Sequence, residues 1–122
     1  MAKTILIFED DALNMKLFND LLQSQGYNTV QAVDGRDAVA LVREAHPDVI
    51  LMDIQLPEIS GMELTRTIKS DDALKDIPIV AVTAFAMKGD EERIRESGCD
   101  GYISKPISVP SFLETVARFA AE

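Results

Sequence analysis

The chain has 122 residues, enough for one domain with its own core and too few for two. Apolar residues make up 47%, which predicts folding rather than disorder. The net charge of −9, from 12 basic and 21 acidic residues, argues against nonspecific nucleic-acid binding and against an anionic membrane surface.

No apolar stretch approaches the roughly 20 residues that span a bilayer. Met1-Ala2-Lys3-Thr4 runs straight into a strand and lacks the apolar region of a signal peptide. The single Cys99 permits no internal disulfide and suits a reducing compartment. These features predict a soluble cytoplasmic protein without membrane insertion.

Strand-like and helix-like segments alternate. Residues 4–8 read as a first strand, running into Glu9-Asp10-Asp11. Residues 12–25 place Leu13, Leu17, Phe18, Leu21 and Leu22 on one helical face, ended by Gly26. Residues 28–33 form a mixed strand before the turn pair Asp34-Gly35. A helix over 36–45 turns Ala38, Leu41, Val42 and Ala45 inward, and His46-Pro47 closes it.

Val49-Ile50-Leu51-Met52 reads as a strand buried on both faces, yet it ends on Asp53. Pro57 leads to a helix over 60–70. Pro78 precedes Ile79-Val80-Ala81-Val82, which ends on Thr83. The segment from Lys88 to Ser97 is charged, with Ile94 almost its sole apolar anchor. Tyr102-Ile103-Ser104 is a short fifth strand, followed by Lys105-Pro106. The last helix, 108–120, takes Ser108 as its N-cap; Phe112, Val116 and Phe119 could all be core, though Phe119 lies off the apolar stripe, where exposure is the alternative.

Five strand–helix units in series imply an α/β fold, a parallel sheet covered on both faces. The polar second strand and the short fifth strand suit edges, and the apolar first, third and fourth suit the centre. That favours the flavodoxin-like (βα)5 order 2-1-3-4-5 over 3-2-1-4-5. One unit over 1–122 is expected, with no residues left for an output domain.

Ligands bind such sheets beyond the carboxyl ends of the strands. Glu9, Asp10, Asp53, Thr83 and Lys105 all fall there. Two carboxylates about 4 Å apart repel by on the order of 4 kcal/mol at an effective dielectric near 20. A divalent cation relieves this, and oxygen-only donors favour Mg²⁺ or Mn²⁺ over Zn²⁺. The hydroxyl and ammonium beyond then make an anion pocket. Phosphoryl is its natural guest, with Asp53 as nucleophile. Beside these, Asp11 suits a helix N-cap, Cys99 a small buried hydrophobe and His46 a solvated residue.

In these positions the sequence resembles the receiver domain of two-component response regulators over nearly its whole length. The resemblance rests on Glu9-Asp10, Asp53 with Pro57 and Gly61 behind it, Thr83-Ala84, Tyr102 and Lys105-Pro106. Within that family, residues 14–17, 51–61 and 82–95 are similar to a single-domain regulator of cell division. The resemblance implies a CheY-like fold and a phosphoryl group passed to Asp53 from a histidine. Mg²⁺ would be held by Asp10 and Asp53 directly, Glu9 through water and the Gln55 backbone carbonyl. Thr83, Ala84, Lys105 and Pro106 would surround the phosphoryl group, with a cis Lys105–Pro106 bond and Tyr102 as a switching aromatic.

Gln55 and Phe85 are implied to set phosphoryl lifetime. Phe85 has no group to orient water, so a long lifetime is expected. The output face would include Lys88, Asp90, Glu91, Arg93, Ile94 and Tyr102. Implied partners are sensor histidine kinases, a histidine phosphotransfer protein and other cell-cycle signalling proteins, with recruitment to cell poles. A chemotaxis-type regulator is an alternative. A Mg²⁺-dependent phosphohydrolase is disfavoured by Gln55 where an acid is needed and by the lack of length for a cap. A flavodoxin-like cofactor binder would need a Ser/Thr/Gly-rich loop where Glu9-Asp10-Asp11 stands.

Overall fold

The computed structural model describes residues 2–84 and 88–121; for 88–90 only the backbone is described. Five strands alternate with five helices: β1 Thr4–Phe8, α1 Ala12–Ser24, β2 Asn28–Ala32, α2 Ala38–Ala45, β3 Val49–Asp53, α3 Gly61–Lys69, β4 Ile79–Thr83, α4 Lys88–Glu96, β5 Gly101–Ser104 and α5 Val109–Ala120. The strands are all parallel, in the order β2-β1-β3-β4-β5. The polarity of the strands therefore placed the edges correctly.

Strand side chains alternate between faces, and here each face has its own core. Ile5, Ile7, Val49, Leu51, Val80 and Val82 pack with Met15, Phe18 and Leu22 of α1 and Phe112 and Val116 of α5. Leu6, Phe8, Ile50, Met52 and Ile79 pack with Ala38 and Val42 of α2 and Leu64 and Ile68 of α3. A much smaller cluster, Ile54, Ala81 and Ile94, lies under α4, flanked by Met62, Cys99 and Tyr102. Among the described residues no helix is long and apolar enough to cross a membrane.

Local signals behave largely as their chemistry dictates. The Asp11 carboxylate caps α1, accepting from the Leu13 and Asn14 N–H groups at 2.9 and 3.0 Å. His46 is exposed and takes φ 47° before Pro47, ending α2. Cys99 is half-buried, its thiol donating to the Ile94 carbonyl. The Lys105–Pro106 bond is cis.

Three expectations need correction, and the alternatives for Phe119 resolve toward the core. Leu13 is 80% exposed and Leu17 is also exposed. The buried stripe of α1 is Met15, Phe18 and Leu22, and Leu13 stands about 200° around the helix from Met15. Phe119 is half-buried against the α1/α5 core, where its ring occupies the space a Cβ on Gly101 would need. Ser108 stands at the N-cap of α5, but its hydroxyl makes no capping bond; Pro110 already removes one donor from that first turn. The second strand stops at Ala32, and α2 starts only at Ala38.

Candidate phosphoacceptor site

Four parallel strands, β1, β3, β4 and β5, end side by side, and their register delivers the site. Phe8 pairs with Met52, so Glu9 and Asp53 leave adjacent strands at one level. Asp53 pairs with Val82, which brings Thr83 to the same rim. Thr83 pairs with Ser104, and the Lys105 N–H donates to the Thr83 carbonyl at 2.8 Å.

Asp53 is 3% exposed, and its Oδ1 accepts from the Gln55 N–H at 2.9 Å. The corner behind it is held by Gly61. A Cβ there would sit 2.2 Å from the Asp53 carbonyl oxygen and 2.8 Å from Ile54 Cα, so only glycine lets α3 start this close. The Gly61 N–H donates to the Ile54 carbonyl at 3.0 Å, and the Ser60 hydroxyl caps α3 through the Glu63 N–H.

Glu9, Asp10 and Asp53 each offer a carboxylate oxygen within 4.8 Å of the others. Glu9 is 1% exposed, whereas Asp10 is open to solvent. Lys105 Nζ lies 2.9 Å from Glu9 Oε1 and 3.4 Å from Asp53 Oδ2. Burial, together with the neighbouring Asp53, pushes the Glu9 carboxyl up to about 7, against the opposing pull of Lys105. Burial works against the Lys105 charge, but the bond to Glu9 and the charge of Asp53 outweigh it, so its pKa rises.

The donor set fits a hard divalent cation. It is all oxygen, it concentrates negative charge and it has one open side at Asp10. The chemistry it can support is capture of a phosphoryl group: a carboxylate acceptor, an adjacent cation site and a lysine ammonium.

Most residues singled out in the sequence meet here. Glu9, Asp10, Asp53 and Lys105 converge as one cluster. Thr83 is fully buried at the end of β4, and Ala84 is exposed beside it. Gln55 is exposed, with its backbone N–H bonded to Asp53. Phe85 lies outside the described residues, as do the side chains of Lys88 and Asp90. Glu91 and Arg93 are on the outer side of α4, and Tyr102 is half-buried beside it. Ile94 does not belong to that surface: it is 1% exposed and forms the anchor beneath it.

Two features went unseen in the sequence. One is the Glu9–Lys105 ion pair, which residues 96 positions apart could not advertise. The other is a groove of about 390 Å³ beside Lys105, lined by Asn14, Leu17, Phe18, Ala84, Pro106 and Ile107. The spacing of Leu17 from Met15 held that signal, since only one of the two can face the core.

The fold and the acid-rich strand ends define a receiver domain, and this chain belongs to the response regulator receiver domain family, whose profile matches residues 5–117. Among curated proteins it is 58% identical over 122 residues to the polar-differentiation response regulator DivK of Brucella ovis, covering 100% of this chain and 99% of that one. The same identity and coverage hold for the DivK of Brucella anthropi. Among solved structures it is similar to the receiver domain of a sensor histidine kinase from Pseudomonas aeruginosa, with 31% identity, a TM-score of 0.91 and full coverage of both chains. That structure has a magnesium ion coordinated in its active-site cleft. The chemotaxis protein CheY4 of Vibrio cholerae is 26% identical with a TM-score of 0.90, covering 98% of this chain and 99% of that one.

Proposed function

We propose that this chain is a phosphorylation switch in a two-component phosphorelay. Asp53 accepts a phosphoryl group from a phosphohistidine on a kinase or phosphotransfer protein. The observation that carries this reading is the convergence of Glu9, Asp10, Asp53 and Lys105 at the carboxyl ends of β1, β3 and β5. An Asp53 carboxylate oxygen forms the new O–P bond as the N–P bond of the donor breaks, and the departing imidazole takes up a proton. Asp10 and Asp53 would hold Mg²⁺ directly, with Glu9 through water and Gln55 through its carbonyl. When bound, the ion supplies positive charge against the acids and the phosphoryl oxygens.

Lys105 would exchange its bond to Glu9 for a phosphoryl oxygen, and Thr83 would bond another. Pro106 and Ala84 would flank them. The groove beside Lys105, with the exposed Leu17 in its lining, offers an apolar seat for the histidine-bearing partner. Output is by protein contact through α4, β5 and α5, with Tyr102 as the switching aromatic and Glu91 and Arg93 on the surface that is read. The chain assists its own phosphorylation and dephosphorylation rather than turning over a substrate.

We propose a role in cell division, within the cytoplasm and with recruitment to cell poles by kinases; the 58% identity to DivK proteins supports the cell-division part. A chemotaxis role is supported by a weaker likeness, 26% identity to CheY4. A single receiver unit over 1–122 is proposed, signalling to kinases and other cell-cycle proteins. Mg²⁺ rather than Mn²⁺ is the ion proposed.

Incubation with acetyl phosphate and Mg²⁺ tests the reading by mass. A gain of one phosphoryl group, lost in Asp53→Ala and with chelator, is expected. Continuous hydrolysis of phosphate esters without an adduct would replace the switch with a hydrolase. Phe85 is proposed to lengthen the phosphoryl lifetime. An unchanged dephosphorylation rate in Phe85→Glu would remove that part alone.

A further inference from the structure

Arg95 is the residue in α4 whose geometry asks for a function. Its Nε and Nη2 both donate to Glu91 Oε1, at 3.2 and 3.1 Å. That two-pronged hold aims the guanidinium across to β5, where Cζ lies 5.9 Å from the centroid of the Tyr102 ring. This is within the range of cation–π attraction. Surface ion pairs within one helix need no purpose, but here the pair fixes a cation over an aromatic face of a different element.

The contact matters because, among the described residues, few buried apolar side chains hold α4. Of its described side chains, from Glu91 to Glu96, only Ile94 is buried. Among the described residues, the cluster it joins has Ile54 and Ala81 as its other buried members, with Met62, Cys99 and Tyr102 at the margin. The Tyr102 ring therefore lies between the hydrophobic cluster on one side and a charged group on the other. Inward rotation of the ring, or displacement of α4 from β5, takes the guanidinium off the ring face.

We propose that Glu91 and Arg95 form a latch that holds Tyr102 in its half-exposed position and so biases the molecule toward its unphosphorylated state. The inference rests on the phosphorylation reading above and deepens it. Arg95 acts here as a positioning residue, since it works through Tyr102 and not on the phosphoryl group. A ligand that favours the inward ring must work against the latch, so removing the latch raises apparent affinity for that ligand.

The chain has two tyrosines, Tyr27 and Tyr102. Labelling with 3-fluorotyrosine thus gives one reporter at the latch and one distant control between α1 and β2. Wild type is first titrated with beryllofluoride and Mg²⁺, a stable stand-in for the phosphoryl group. A wild type that does not respond overturns the phosphorylation reading itself, and the bias falls with it.

Given a response, the ligand-free Tyr102 resonance in Arg95→Gln is expected to move toward its ligand-saturated position, with Tyr27 unmoved. Half-saturation should fall by about two- to fivefold, the size of an exposed cation–π contact. Arg95→Lys keeps the cation and should recover part of both effects, and Glu91→Gln should give a smaller change in the same direction. A Tyr102 resonance unmoved by Arg95→Gln overturns the latch. So does a moved resonance with unchanged half-saturation, since the contact would then carry no bias.

Discussion

Helices α3 and α4 begin where strands deliver site residues, Asp53 from β3 and Thr83 from β4, yet they are held in opposite ways. α3 starts with Gly61 pressed against the Asp53 carbonyl and buries Leu64, Thr65 and Ile68 in nine residues. Its far end is tied by Lys69, whose ammonium donates to the Lys75 and Ile77 carbonyls and to Asp100. The described part of α4 buries Ile94 alone and turns its charges to solvent. One side of the site is thus built to keep a carboxylate in place. Among the described residues the other side has few buried contacts, so a small free energy should suffice to re-set it.

The largest test strikes the fixed side. Ile68 is fully buried between α3 and the sheet. Ile68→Ala should cost about 2–5 kcal/mol, read as a single cooperative shift in urea unfolding. A loss confined to α3, with the sheet still protected from hydrogen exchange, would break the claim that α3 and the sheet are one unit.

A second effect comes from the charge held at the rim. The Glu9 carboxyl titrates near 7 in the fold against an ordinary value of 4.5, because burial and Asp53 disfavour its charge. Between these values the folded chain keeps a proton that the unfolded chain has lost. The stability from neutral Glu9 is therefore complete below about 4.5 and lost as pH rises through 7. The loss is on the order of 3 kcal/mol. Urea midpoints of the metal-free protein should fall from pH 5 to pH 8, and Glu9→Gln should flatten the profile. A wild-type profile as flat as that of Glu9→Gln would show that Glu9 is charged throughout.

Gly61→Ala should come next, at about 1–3 kcal/mol, because its new methyl meets backbone and not a side chain that can swing aside. It should also slow phosphorylation by displacing Asp53. Unchanged stability and rate would mean that the α3 corner is softer than its contacts imply.

How much of this could be read in the sequence follows from the range of each interaction. The strand order was legible because a strand's polarity reports its neighbours: Asn28, Thr29 and Gln31 mark an edge, and Val49 to Met52 a centre. The site residues were legible because each ends a strand, and a parallel sheet gathers those ends. Leu13 and Leu17 were misplaced because α1 has more leucines than its buried stripe can hold, and Met15 took the central position. Phe119 was left open between core and solvent because the space it fills exists only where Gly101 lacks a side chain. The Glu9–Lys105 pair and the Arg95–Tyr102 contact depend on side-chain directions across elements, which periodicity does not encode.

The smallest prediction addresses the loosely held side. Ile94→Val removes one methylene from a cluster with few other members among the described residues, so it should cost only about 0.5–1.5 kcal/mol. Its distinguishing mark is where the loss appears. Amide exchange should quicken over residues 91–96 while the amides of β1, β3 and α3 keep their protection, because α4 can part from Ala81 and Ile54 without opening either large core. Equal quickening in α3 and α4 would join the two helices into one cooperative unit. A change in α4 would then have to be transmitted through the Asp53 corner rather than around it.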